Sequence, residues 1–185
     1  MSSRHTTAAT ICLVLAVSFG FILNCLALFL KQWITTTDQS CVISWLGPDQ
    51  LPQSFIRRGV GLIPIECVPP YFKACAYMMI VSFVLYVMLV GFFFFGFISF
   101  MLKKTKQTRI GYRLVAILSF ATAALQIASF IVTLACQQMY VNTVFFLDPI
   151  VGACAYLALT SGLLGFCSLG ASWFLQRGLG SIDSQ

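Results

Sequence analysis

"AYMMIVSFVLYVMLVGFFFFGFISFML", residues 76–102, contains neither a charged side chain nor a proline. A helix rising 1.5 Å per residue needs about 20 apolar residues to cross about 30 Å of hydrocarbon, and this stretch exceeds that length. A buried helix of a water-soluble protein is shorter and shows a polar face. The stretch therefore reads as a membrane span. Three more resemble it, at residues 8–30, 110–136 and 150–175. None contains Asp, Glu or Lys, and the one arginine, Arg113, sits near an end where it can reach the headgroups. Composition agrees: 59% of the chain is hydrophobic and 9% charged, against about 25% charged in soluble domains.

The first stretch is too long for the apolar region of a cleaved signal peptide, about 7–15 residues, and it runs straight into "FLKQW". It reads as an uncleaved span, giving four crossings. Arg4, Lys103, Lys104, Lys106, Arg109, Arg113 and Arg177 fall on one side of these spans. Lys31, Arg57, Arg58 and Lys73 fall on the other, with Asp38, Asp49, Glu66 and Asp148. The positive-inside bias places both termini and the middle connector in the cytoplasm (residues 1–7, 176–185 and 103–109) and residues 31–75 and 137–149 outside. The formal charge of +6 is mostly this topology signal. It does not indicate a nucleic-acid partner, because the basic residues flank the membrane.

The first outer segment is the one long enough to form structure beyond the helices. "QWITTT" and "CVISWLG" are rich in β-branched and aromatic residues and are separated by turn residues; "SFIRRGVGLI" and "IECV" offer two more strands before "VPP" ends any ladder. The expected fold is a single all-α membrane domain, residues 1–185. It is a left-handed four-helix transmembrane bundle with a small extracellular antiparallel β-sheet on the helix ends.

Cys67 and Cys75 then face the oxidising side, where thiols pair. A disulfide closing so short a loop stabilises by roughly 2.5 kcal/mol in the chain-entropy picture, a large share for a patch of sheet with little core of its own. A structural staple is the favoured reading. A redox pair usually takes the form Cys-x-x-Cys, absent here. A metal site needs further ligands, and the one histidine, His5, is on the far side. Three fates stay open for Cys41: free, competing for pairing, or joined to a second chain. Cys12, Cys25, Cys154 and Cys167 lie within spans and read as packing residues.

With these residues in place, the chain resembles the claudin and peripheral-myelin-protein superfamily. Trp33 in "KQWITTT" is similar to the tryptophan that opens the claudin first loop. "Gly61-Leu62-Ile63…Cys67…Cys75" resembles the Gly-Leu-Trp…Cys…Cys signature, and "FFLDPIVGACAYLALTSGLLG" resembles the second loop and fourth span. Ile63 stands in place of tryptophan, an extra residue precedes Cys67, and Cys75 lies close to the second span. These departures suit a divergent invertebrate claudin-like member. "SIDSQ" lacks the terminal hydrophobic residue a PDZ groove captures, so a PDZ scaffold is not expected.

The resemblance implies a junction protein of the plasma membrane at cell–cell contacts. Its partners are itself or other claudin-like proteins, in the same membrane and across to the next cell, within membrane lipid. Adhesion or control of paracellular permeability is the implied function. The candidate charges lining the gap are Asp38, Asp49, Arg57, Arg58, Glu66 and Lys73, and the candidate contacts with an apposed cell are Phe145, Phe146 and Leu147. The alternative is an auxiliary subunit, as in the stargazin-like branch, modulating a channel or receptor in the same membrane. Catalysis is not expected, since the spans hold no acid or base, and no catalytic residue, cofactor or metal ligand is assigned. Gln126 and Asn24 are the most polar span residues and read as helix–helix hydrogen-bonding groups. Ala158, Ser161, Gly162 and Gly165 form a small-residue stripe, read as packing between the protein's own helices.

Overall fold

The computed structural model describes residues 3–30, 32–36, 58–60, 62, 73–102, 104–143 and 150–180. Four long helices carry the chain: α1 (Ser3–Phe29), α2 (Lys73–Met101), α3 (Thr105–Thr143) and α4 (Ala153–Gly180). Each is long and apolar enough to cross a membrane. Three short strands complete the described structure: β1 (Ile34–Thr36), β2 (Arg58–Val60) and β3 (Ile150–Val151). β1 lies between the other two and pairs antiparallel with both.

Helix α2 packs on α3, α3 on α4, and α4 on α1; a slighter contact between α1 and α2 closes the ring. Side-chain size explains the difference. A Cβ built on Gly165 would lie 3.0 Å from the Ala123 Cβ and 3.2 Å from the Ser119 carbonyl; one on Gly162 would lie 3.2 Å from Ile127 Cγ1. Small residues thus let α4 approach α3 closely, as membrane helices do when no solvent drives them together. The Ser161 hydroxyl donates to the Gly20 carbonyl at 2.7 Å, so the same stripe also meets α1. The α1–α2 seam is filled by rings instead: Phe21 stacks on Phe83 at 6.1 Å between centroids, and Phe29 meets Phe83 edge-on at 6.0 Å.

At the opposite end of the bundle from the strands, α2 and α3 touch backbone to backbone. A Cβ on Gly111 would lie 2.7 Å from the Gly96 Cα and 3.1 Å from its nitrogen, whereas a Cβ on Gly96 would find Gly111 no nearer than 3.6 Å. Backbone cannot swing aside as a side chain can. Gly111→Ala is therefore expected to destabilise the bundle by about 1–3 kcal/mol, and Gly96→Ala to be close to neutral. Unfolding of purified protein in mixed micelles checks the asymmetry; equal effects of the two substitutions would contradict this packing.

The helices extend beyond the expected spans at several ends, α1 beginning at Ser3, α3 at Thr105 and α4 ending at Gly180, and the boundaries near the strands differ in kind. Helix α3 continues past Cys136 to Thr143, and α4 begins at Ala153, with Ile150 and Val151 paired to β1. Gln137, Gln138 and Asn142 end the apolar run without breaking a helix, because nothing in that stretch removes a backbone donor or demands a turn. Ile150 and Val151 are apolar enough to extend a span, yet their β-branched side chains suit a strand equally well. Two cysteines also differ: Cys12 and Cys167 are exposed on the outer surface of the bundle, while Cys154 is buried and Cys25 half-buried. Outward-facing thiols cost little in hydrocarbon, since sulfur is apolar.

Candidate functional site

The α1 C-terminus, α2 N-terminus, α3 C-terminus and α4 N-terminus share one end of the bundle, where the strands lie. Trp33 organises this end. It follows α1 directly, and its indole is fully buried. Its Nε1–H donates to the Ala27 carbonyl, turning the ring back over the last turn of α1. Ala27 and Leu28 of α1, Cys75, Ala76 and Met79 of α2, Cys136 of α3 and Cys154, Ala155 and Ala158 of α4 form the same buried cluster as Trp33, Leu62 and Val151. All four helices and the two connections at this end thus contribute to one small core.

The backbone beside Trp33 fastens the two connections together. The Trp33 carbonyl accepts from the Gly152 N–H at 2.8 Å, and the Gln32 carbonyl accepts from the Cys154 N–H at 3.2 Å. Beyond this clasp, Ile34 pairs with Val151 and Thr35 with Ile150; on the other edge of β1, Ile34 pairs with Val60, Thr35 with Gly59 and Thr36 with Arg58. Gly152 is required by closeness: a Cβ there would lie 1.7 Å from the Gln32 oxygen. The Cys154 N–H bond also supplies a partner for one of the first-turn donors that every helix leaves unpaired.

Of the signature residues, Trp33 and Leu62 meet in this cluster, and Gly61 lies outside the described residues. Cys75, expected in a disulfide with Cys67, is instead a free thiol buried in the first turn of α2, its Sγ donating to the Ser129 carbonyl at 3.5 Å and lying 3.6 Å from Thr133 Oγ1. Cys67 and Cys41 lie outside the described residues. Among the candidate charges, Lys73 is half-buried at the start of α2 and Arg58 belongs to β2; Asp38, Asp49, Arg57 and Glu66 lie outside the described residues, as do Phe145, Phe146 and Leu147.

Inside the bundle the structure shows a feature that the sequence reading missed. Ser119, Thr122, Gln126, Ser129 and Thr133 are all fully buried on α3. Their spacing alternates three and four residues, the period that keeps a stripe on one helix face, so the interior seam of α3 is polar over several turns. That alternation was the available signal. Several hydroxyls satisfy themselves: Thr122 donates to the Leu118 carbonyl, Ser129 to Leu125 and Thr133 to Ser129. Lipid-facing Thr160 does the same with Tyr156, as a hydroxyl in hydrocarbon must. Gln126 reaches across, its Nε2 donating to Ser161 Oγ at 3.0 Å, which makes it a helix–helix bond as its residue type suggests. Asn24 differs. It is fully buried, and neither side-chain polar atom has a hydrogen-bond partner. Ser82 Oγ, the Tyr86 hydroxyl and Gln126 Oε1 are likewise unpartnered; so, elsewhere, are Ser119 Oγ, Ser172 Oγ and Gln176 Nε2. Each unpaired buried group costs about 1–3 kcal/mol.

Among the described residues no group of histidine, cysteine and acidic side chains is arranged to hold a metal ion. What the bundle offers is four helices, each long and apolar enough to cross a membrane, with two of their connections tied together at one end. That defines a four-helix membrane protein. Across residues 1–179 the chain matches the family described as tight junction protein, claudin-like, and it belongs to that family. No curated protein matches it. The family is one of junction proteins of the plasma membrane, which is the class its four helices fit.

Proposed function

We propose that the protein assembles at cell–cell contacts, through copies of itself or other claudin-like proteins, to adhere or to restrict diffusion between cells. In this reading the termini and the connector between α2 and α3 are cytoplasmic, and the end bearing Trp33 and the strands is extracellular. The basic residues gathered at the other end support that direction. The observation that carries the proposal is the clasp at Gln32, Trp33, Gly152 and Cys154, which gives two separate connections a common base. An edge strand at that base is the kind of template on which a neighbour can pair. The charges Asp38, Asp49, Arg57, Arg58, Glu66 and Lys73 would then face the intercellular gap, and Phe145, Phe146 and Leu147 an opposing membrane. Expression in cells lacking junctions tests this: strands in freeze-fracture replicas and a rise in transepithelial resistance are the expected results. Scattered clusters with a channel, and no belt at lateral contacts, would instead indicate an auxiliary subunit.

The staple between Cys67 and Cys75 belongs to the same proposal, and it requires the Cys75 thiol, free in this structure, to give up its hydrogen bond to Ser129 on oxidation. Cys75→Ser keeps a hydroxyl within reach of Ser129 and Thr133, so a packing role alone is largely preserved by that substitution. With a disulfide, Cys67→Ser and Cys75→Ser are expected to reduce surface delivery equally, and the double variant no further. Surface biotinylation reads the result, and normal delivery of Cys67→Ser would remove the staple.

A further inference from the structure

We propose that the interior of the bundle binds water beside Ser161, at a site built by all four helices. Ser161 of α4 is the fixed point: its hydroxyl donates to the Gly20 carbonyl of α1 and accepts from Gln126 Nε2 of α3. The fourth helix arrives through Tyr86, whose hydroxyl lies only 1.9 Å from where a Cβ on Gly20 would be. On these helices five buried polar atoms have no hydrogen-bond partner: the Tyr86 hydroxyl and Gln126 Oε1, from the residues that meet at Gly20 and Ser161, and, on adjoining turns, Ser82 Oγ and Asn24 Oδ1 and Nδ2. Asn24 is one helical turn from Gly20, and Ser82 one turn from Tyr86. A turn advances the backbone by about 5.4 Å, close to the span of one water making two hydrogen bonds of about 2.8 Å.

The chemistry of the atoms selects the ligand. Asn24 Nδ2 donates, Asn24 Oδ1 and Gln126 Oε1 accept, and the two hydroxyls do either. A buried water takes two to four such partners. None of the five atoms carries charge, so a cation here would be buried without compensation. Lipid chains offer no hydrogen bond at all. Water alone satisfies donors and acceptors together, and it converts a set of costly orphans into one network tying the helices.

The test is nuclear magnetic resonance of the full chain in nanodiscs of deuterated lipid, reading magnetisation transfer from water to the carboxamide protons of Asn24 and Gln126. Exposed Gln32 is the positive control, and the backbone amide of buried Leu89 the negative one. Transfer to both buried carboxamides is the expected result, with loss of the Asn24 signal in Gln126→Leu and in Tyr86→Phe. Absence of transfer in the unsubstituted protein would overturn the proposal without any variant. So would an Asn24 signal unchanged in both folded variants.

Discussion

Trp33→Ala is expected to lower the stability of the purified protein by about 3–5 kcal/mol, the range for deleting a buried aromatic ring. The indole is completely buried among residues from all four helices, so the space it vacates has no single neighbour able to fill it. The Ala27 carbonyl loses its indole donor as well. Trp33→Phe is expected to cost less than the alanine variant but more than the hydrogen bond alone, about 1 kcal/mol, because it removes the N–H together with part of the bicyclic volume. Unfolding curves in mixed micelles measure both. An alanine variant within 1 kcal/mol of the parent would mean that the ring does not hold the helix ends together.

Gly152→Ala is expected to cost about 2–4 kcal/mol, because the new methyl group can be housed only by giving up two backbone hydrogen bonds. Its Cβ would lie 1.7 Å from the Gln32 oxygen and 2.4 Å from the Gln32 carbonyl carbon. Those are main-chain atoms, and the Gln32 and Trp33 carbonyls are the acceptors that fasten the start of α4. Moving them apart breaks the fastening. Since Trp33→Ala and Gly152→Ala loosen the same few residues, the double variant should be less damaging than the two losses added. Strict additivity would show that ring and clasp act independently.

The helices were legible because hydrocarbon imposes one strong condition, a long uncharged run, and residues 76–102 meet it without ambiguity. The limits of α3 and α4 were less legible. Gln137 and Asn142 look like the end of a span but not the end of a helix, and Ile150-Val151 satisfies two kinds of structure at once. Trp33 and Leu62 were found through family resemblance; composition alone says only that they are apolar, and their meeting depends on how the connections fold back. The polar stripe of α3 was hidden for another reason. Serine and threonine are common in membrane helices and attract attention only when their spacing is tabulated, as at 119, 122, 126, 129 and 133. Asn24 was recognised as polar, but no sequence pattern reveals that its partner is missing. The candidate charges other than Arg58 and Lys73, and the Phe145–Leu147 tip, fall outside the described residues, so their roles rest on resemblance and topology.

The unequal seams of the ring set how the chain can change over evolutionary time. Where α4 meets α3, a Cβ on Gly162 or Gly165 already presses on its neighbours at about 3.0–3.4 Å, and one on Gly111 runs into the Gly96 main chain. Between α1 and α2 the spacing is set by Phe21, Phe29 and Phe83, and one bulky side chain can be exchanged for another as long as the volume is conserved. Descendants of this sequence should therefore drift in hydrophobic identity along that aromatic border, while holding Gly20, which lies against Tyr86 there, and the small residues of the α3–α4 seam.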